Sequence, residues 1–408
     1  MSRPPWQGEA PGRLDVLGGV SDYSGSLVLQ TPIRGTTRVT IAPTPAPRLR
    51  VVSEQEGAVD LPLPDPREMV AEAGGVAPLK DWLRARDVPH WAYYPLGCLF
   101  LFCHARDWRP ASGLAIEIAT DVPTSMGVSS SAALEVATLR ALEEAAGRRF
   151  EGTALARLAQ RAENEVVGAP CGLMDQLAAA HGVRGALLPI LCRPDVLRDP
   201  VPLPDGAIVA GWPSGVKHAV SGAEYGTART ASFMGKRILE GALGRKLGHL
   251  TELSPSLLDE AADVLPASLA GADFLAAYGS VDDPHSAVVP DRPYPVRAAV
   301  EFPVGENARC HLAESWLRDG GADRAGTLRE VGELMYDSHA GYGSIGLGRP
   351  ETDAMVEAVR GLGPSRGFYG ARVSGGGCGG TVVVLLEADS LPDLRRLADR
   401  AGTPALIV

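Results

Sequence analysis

Asp121-Val-Pro-Thr-Ser-Met-Gly127-Val128-Ser129-Ser130-Ser131-Ala-Ala-Leu134 is the stretch from which the rest of the chain is read. An alternating run, Leu114–Ile118, predicts a strand entering it, and Pro123 marks a turn. Three consecutive hydroxyls then open an apolar helix, with Leu134, Ala137, Leu139 and Leu142 at helical spacing and an end near Gly147. Free backbone N–H groups at a helix start, backed by the positive end of the helix dipole, attract phosphate. Gly127 lets the backbone come close to a ligand. The serines can cap the helix or offer oxygens to a metal. An ordinary serine cap is the plainer reading of any one of them; three in a row after a Pro/Gly turn make a candidate anion site.

Bulk properties narrow the classes. The chain has 408 residues, 45% hydrophobic and 22% charged, a globular composition with room for two or three domains. The formal net charge of −10 argues against nucleic acid or an anionic membrane as partner. Six scattered cysteines show neither a C-x-x-C pair nor a Cys/His zinc spacing. The N-terminal Met1-Ser-Arg-Pro-Pro-Trp has no apolar signal region, and no apolar run is long enough to span a membrane. A cytoplasmic protein is expected; its oligomeric state is left open.

Upstream, Pro11–Ile33 reads as strand, tight turn around Gly18–Asp22, and a second strand from Leu27, with further strands at Arg38–Ile41 and Leu49–Val52. Arg13 and Asp15 interrupt the first apolar run, and ionisable groups in such a setting need partners or ligands. Helices are expected over Asp81–Arg86 and Leu96–His104. Downstream, a helix over Thr153–Val167 carries Glu163 near its C-terminal end, where the helix dipole disfavours negative charge. Gly168–Gln176 turns into a short helix, with Asp175 in an apolar, glycine-rich setting. Pro200–Pro204 is a candidate domain boundary, followed by a strand at Ala207–Gly211. Helices follow over Glu224–Leu243, Val296–Phe302 with Ala308–Arg318 (one helix or two), Leu328–His339 and Thr352–Arg360. Strands at Gly370–Val373 and Thr381–Leu386, a helix at Leu391–Ala401 and a terminal strand at Ala405–Val408 complete the chain.

Gly375-Gly376-Gly377-Cys-Gly-Gly380 formally contains G-x-G-x-x-G, but a strand is expected after it rather than a helix, which argues against the dinucleotide reading. The turn brings backbone close either to a ligand or to another segment. P-loop, protein-kinase, G-x-S-x-G and H-E-x-x-H patterns are missing from the sequence.

Taken in order, Pro11-Gly-Arg13-Leu-Asp15-Val-Leu-Gly18, Pro123–Ala133 and Arg372-Val-Ser-Gly-Gly-Gly-Cys-Gly-Gly380 resemble the three motifs of the GHMP kinase superfamily. Ala162-Glu163 through Pro170-Cys-Gly-Leu-Met-Asp175-Gln176 is similar to the galactokinase branch, as are Trp91-Ala-Tyr93-Tyr94 and Lys217-His218 with Glu224-Tyr225. The resemblance implies an α+β, two-domain fold with the active site in the cleft between the domains. Residues 1–203 would form the N-terminal domain and 204–408 the C-terminal one. It also implies ATP and Mg²⁺, a small-molecule sugar acceptor, and no nucleic-acid or membrane partner.

By that resemblance, backbone N–H groups of Gly127, Val128, Ser129, Ser130 and Ser131 hold the β- and γ-phosphates, with Gly376 and Gly377 beside the nucleotide. Ser130 and Glu163 hold Mg²⁺. Asp175 is the base and Arg13 stabilises charge on it and on the transferring phosphoryl. Asp22 and Tyr225 bind the sugar ring, with Gly172 nearby through its backbone. One departure bears on the substrate. Galactokinases carry Gly-Glu-His-Thr-Asp-Tyr where this chain has Gly18-Gly19-Val20-Ser21-Asp22-Tyr23. With Gly19 and Val20 in place of the Glu and His that contact the exocyclic hydroxymethyl of galactose, a hydroxyl there would be buried unpaired. L-arabinose has the same ring stereochemistry without that group. Ala10–Gln30 and Ser221–Gly226 are similar to the kinase portion of plant L-arabinokinases, which carry an additional N-terminal glycosyltransferase-like region with no counterpart in these 408 residues. An L-arabinose 1-kinase giving β-L-arabinose 1-phosphate is therefore expected. A galactokinase or 6-deoxy-sugar kinase, a non-catalytic sugar/ATP sensor, and an unrelated nucleotide-binding module are the alternatives.

Overall fold

The structure, a computed structural model, describes residues 4–71, 73–193, 195–216, 223–320 and 323–407. The Lys217-His218 pair and the start of the Ser221–Gly226 segment lie outside the described residues. The first half of the chain contains β1 (Trp6–Leu17), β2 (Leu27–Thr44), β3 (Arg48–Ser53), β4 (Gly57–Pro62), α1 (Pro66–Met69), α2 (Ala77–Arg84), α3 (Tyr93–Arg106), β5 (Gly113–Thr120), α4 (Ser130–Ala146), α5 (Ala154–Arg161) and α6 (Met174–His181). The second half contains β6 (Ala186–Leu191), β7 (Val196–Leu197), β8 (Val201–Pro202), β9 (Ala207–Pro213), α7 (Ala223–Leu243), α8 (Pro255–Glu260), β10 (Leu269–Ala270), α9 (Gly271–Tyr278), β11 (Pro293–Tyr294), α10 (Val296–Asp319), α11 (Arg324–Ser344), α12 (Pro350–Leu362), β12 (Phe368–Val373), β13 (Thr381–Glu387) and α13 (Leu391–Ala401).

Packing divides the chain into two interleaved compact units. One comprises 1–13, 32–123 and 129–181; the other comprises 14–31, 124–128 and 182–408. The sequence reading expected contiguous parts meeting at residue 203. Interleaving arises because β1 and β2 each run from one unit into the other, a continuity that local composition does not reveal.

In the first unit, β3 pairs antiparallel with β4 and parallel with β5, and β5 pairs antiparallel with β2, Thr37 opposite Thr120. Apolar residues of these strands (Val39, Ile41, Val51, Ile116) form one core with α3 and α4. Helix α4 is rich in Ala, Leu and Glu, strong helix formers, and it packs against α3, α5 and α6. It ends at Gly147, whose left-handed φ of 65° lets its N–H close on the carbonyls of Glu143 and Glu144.

In the second unit, Leu27–Gln30 of β2 pairs with β6, and β12, β13 and β9 form a separate antiparallel sheet. Helices α7, α10 and α11 bury Met234, Val300 and Tyr342 in a second core that includes Val20. A third cluster packs α12 and α13 against the β12–β13–β9 sheet through Trp212, Val359, Val384 and Leu394.

Several expectations are refined. The strands expected at Leu27 and Arg38–Ile41 are one strand, β2, which also pairs with β1; Pro32 and Gly35 fall between its ladder to β6 and its ladder to β5. The helix expected over Thr153–Val167 stays α-helical only to Arg161 and then widens into a π-turn, Ala162–Val167. Val296–Asp319 is one helix, with Pro303 buried inside it. Pro200–Pro204 carries β8. Of the expected terminal strand, Ile407 makes a single bridge to Gly211. Among the described residues no helix is long and apolar enough to cross a membrane.

Candidate active site

In the first unit the site centres on Asp175, in the first turn of α6. Arg13, at the end of this unit's share of β1, grips it in two parallel contacts: Nε donates to Oδ1 at 2.8 Å and Nη2 to Oδ2 at 2.8 Å. Such a bidentate fork fixes the plane of the carboxylate. Arg13 is 4% exposed, whereas the Asp175 side chain keeps 23% exposure. Ser129 also donates to Asp175 Oδ2, at 2.5 Å. This corrects the cap reading. Ser129 does sit at the N-cap of α4, but with φ 56° and no side-chain cap bond, because its hydroxyl is turned to Asp175. Ser125 and Gly127 also have positive φ, 59° and 70°, so the loop backbone is held in a left-handed course as α4 begins. Ser130 and Ser131 form the first turn of the helix, both partly exposed.

Glu163 lies in the π-turn after α5. A π-turn inserts a residue into the helical ladder and re-aims the side chains there, which explains how a buried carboxylate stands at this helix end. It accepts from Gln176 Nε2 at 2.7 Å and lies 3.4 Å from Cys171 Sγ. It also accepts from the Ser131 hydroxyl. Burial, then the charge of Asp175, pushes its carboxyl up to about 7. Gln176 Nε2 reaches Glu135 Oε2 as well, at 3.1 Å. Glu135 is fully buried in α4, and burial followed by the neighbouring Glu163 holds it well above the usual carboxylate range.

Sequence reasoning gave Glu135 and Cys171 no role, and Gln176 none beyond its motif. Glu135 had a usable signal: it stands between Leu134 and Val136, on a helix whose Ala132, Ala133, Ala137 and Leu139 are all buried. Gly172 is half-buried in the turn that leads into α6.

The second unit holds the turn Gly19–Ser24, a short 3₁₀ segment between β1 and β2. Asp22 is 7% exposed and its Oδ1 accepts from the Tyr23 N–H at 2.7 Å. Tyr225 meets Tyr23 edge-on, with ring centroids 6.2 Å apart, so α7 brings one predicted sugar contact next to the turn bearing the other. Arg229, one turn further along α7, pairs with Asp283 at 2.8 Å and lies over the Tyr23 ring at 5.3 Å. Gly19 and Val20 are both buried, and the Val20 side chain belongs to the apolar core.

Asp15 does not await a ligand; it is a structural hub. Its Oδ1 accepts from Gln30 Nε2 at 2.6 Å and from the Gly19 N–H at 3.1 Å. Its Oδ2 accepts from Arg372 Nη1 at 2.7 Å and from the Gly375 N–H at 3.2 Å. First and third glycine motifs are thereby tied together within this unit. Thr381 Oγ1 donates to the Met126 carbonyl at 2.7 Å, which joins the third motif to the 124–128 loop carrying Gly127 and Val128. Gly376 is half-buried. At Gly377, φ is +74°, and an added Cβ would lie 2.8 Å from Leu347. The close approach read from its sequence is therefore to another segment of the protein.

The oxygen-rich set in the first unit fits a hard cation. Glu135 Oε1 is buried without a hydrogen-bond partner, and two buried carboxylates share one amide donor. Among the described residues no cluster of three or more His, Cys, Asp or Glu could hold a metal by itself. One carboxylate and serine hydroxyls suit Mg²⁺, which keeps waters and phosphate oxygens as its other ligands.

Comparison with known proteins agrees with the fold and the motifs. Residues 94–183 match the GHMP kinases N-terminal domain and residues 322–401 the GHMP kinases C-terminal domain. The chain is 31% identical to a galactokinase of Chloroflexus aggregans, over 96% of this chain and 87% of that protein. It is also 31% identical to an L-arabinokinase of Arabidopsis thaliana, over 92% of this chain but 42% of that longer protein, so it spans less than half the plant protein's length. The crystal structure of Lactococcus lactis galactokinase complexed with galactose superposes with a TM-score of 0.77 at 20% identity, over 98% of this chain and 92% of that one. Methanococcus jannaschii mevalonate kinase follows the same fold, with a TM-score of 0.63 at 13% identity over 100% of this chain and 98% of that one. The fold is the mixed helix-and-strand, two-domain architecture these kinases share. The chain belongs to the GHMP kinase family.

Proposed function

We propose that the chain is an ATP-dependent sugar 1-kinase whose preferred acceptor is L-arabinose, giving β-L-arabinose 1-phosphate and ADP. The observation that carries the kinase reading is the Arg13–Asp175–Ser129 constellation: an ion pair that keeps its carboxylate partly open, beside three serines opening α4. Phosphoryl transfer depends chiefly on positioning and charge neutralisation. Asp175 orients the anomeric hydroxyl and accepts its proton as that oxygen bonds to the γ-phosphorus and the bond to the β-phosphate oxygen breaks. Arg13 fixes Asp175 and stabilises charge on the transferring phosphoryl. Backbone N–H groups from Gly127 to Ser131 receive the phosphates, with Gly376 and Gly377 beside the nucleotide. Ser130 and Glu163 would hold Mg²⁺, which would neutralise phosphate charge. Asp22 and Tyr225 bind the sugar ring, with Gly172 nearby through its backbone.

In this reading residues 1–203 contribute the phosphate, metal and base groups, 204–408 contribute Tyr225 and the third glycine motif, and the protein works in the cytoplasm. The choice of L-arabinose rests on Gly19 and Val20, which offer no side-chain hydrogen bond to an exocyclic hydroxymethyl. Galactose is the second reading, favoured by the equal 31% identity to galactokinases over most of their length.

Phosphorus NMR of the product formed from ATP and L-arabinose tests the reaction class. A new sugar phosphate esterified at the anomeric oxygen, with stoichiometric ADP, is expected. Saturable binding of sugar and ATP without ADP release would point instead to a sensor.

A further inference from the structure

Tyr342, on α11, takes no part in the chemistry proposed above, yet it is fully buried and its hydroxyl is spent on two backbone groups. It accepts from the Val20 N–H at 3.2 Å and donates to the Gly375 carbonyl at 2.5 Å. The residues beside it serve the same two segments. Asp15 takes the N–H groups of Gly19 and Gly375, and Arg372, bound to Asp15, lies over the Tyr342 ring at 5.0 Å. Position 19 is closed by this arrangement. A Cβ there would lie 1.8 Å from the Tyr342 hydroxyl oxygen and 2.9 Å from Arg372 Nη2, at a backbone φ of +51°. Phe302 packs edge-on against the Tyr342 ring, with centroids 5.3 Å apart, so the ring cannot swing aside freely.

We propose that Tyr342 is a specificity-determining positioning residue for the acceptor. Through the Val20 N–H it pins the 19–24 turn that carries Asp22. By occupying the space at position 19 it keeps that stretch of the turn bare backbone. Gly19 and Tyr342 then act as one unit, and the acceptor preference belongs to the pair rather than to Gly19 alone. This rests on the reading of the turn as sugar-binding.

The test is a cycle of Gly19→Ala, Tyr342→Phe and the double variant in the full chain, with KM for sugar and for ATP, kcat, and denaturation midpoints measured for each. Tyr342→Phe is expected to raise the sugar KM by about tenfold, because two buried backbone groups lose their partner, while the ATP KM stays within about twofold. Gly19→Ala is expected to damage sugar KM and stability more in the wild-type background than in the Tyr342→Phe background, where the oxygen nearest the new Cβ is gone. A sugar KM unchanged by Tyr342→Phe, or Gly19→Ala effects that simply add, overturns the inference. Should Tyr342→Phe not fold, Gly19→Ala decides: a raised sugar KM with unchanged ATP KM supports the inference, and an unchanged sugar KM refutes it. A wild-type protein that turns over no sugar sinks the kinase reading instead, and the pairing is then judged on the denaturation cycle, where additive effects refute it.

Discussion

Two Arg–Asp pairs, one in each unit, share chemistry and differ in what surrounds them. Arg372 and Asp15 are both 0% exposed, and each oxygen of the Asp15 carboxylate is taken by two donors. Arg13 and Asp175 form an equally short contact, but the Asp175 side chain is 23% exposed and shares its surroundings with a serine hydroxyl and two further carboxylates. The Asp15 carboxylate, buried and with both oxygens taken, has no capacity left for a ligand and serves to hold segments together, while Arg372 keeps Nε and Nη2 buried without a hydrogen-bond partner. A pair with an open edge, among groups whose protonation is displaced from its usual range, is placed to act on something else. The residue types alone do not separate the two cases; exposure and the capacity left on the carboxylate do.

The contrast can be broken from either side. The largest expected effect is on turnover: Asp175→Asn should lower kcat by about 10²–10⁴-fold, the usual span for a lost acid–base group, while sugar binding by calorimetry stays largely intact. Full activity would remove Asp175 as the base. At the other pair the damage should fall on stability. Asp15→Ala leaves the Arg372 charge in the core without its carboxylate, and a loss of about 3–5 kcal/mol is expected in denaturant unfolding. Asp15→Ala unfolding at the wild-type midpoint would show that the hub is dispensable. Ser129→Ala removes one hydrogen bond to a charged group, so a fall in kcat/KM of about tenfold is expected, with little change in stability.

The smallest effect is a pH slope. Because burial and Asp175 raise the Glu163 carboxyl to about 7, the fold favours its protonated form. Its contribution to stability is thus full below the usual carboxylate range and is lost as pH rises through about 7. In chelator, the wild-type melting temperature should fall more than that of Glu163→Gln between about pH 5.5 and about pH 8. Parallel slopes would mean that Glu163 is not held protonated.

Much of this was legible in the sequence, because the glycine turns and the hydroxyl run are local signals. The helix at Ser130, the strands around the third motif and the turn at Gly18–Asp22 all announce themselves by turn residues and apolar periodicity. What stayed hidden depends on partners far along the chain. Arg13 and Asp15 both stood out as charges in an apolar run, but nothing local says that one meets Asp175 and the other Arg372, 162 and 357 residues away. The π-turn at Glu163 has no local signal and reads as a plain helix end, since its sequence carries neither proline nor glycine until Gly168. Tyr342 was invisible as part of the site because a tyrosine in a helix is ordinarily core, which it also is.

The acceptor preference is tested most directly by kcat/KM measured by ADP release for L-arabinose, D-galactose, D-fucose and D-galacturonate with the same preparation. L-arabinose is expected to lead, with D-galactose lower by about tenfold or more, the cost of burying an unpaired hydroxyl. D-galactose turning over as well as or better than L-arabinose would contradict the reading of Gly19 and Val20.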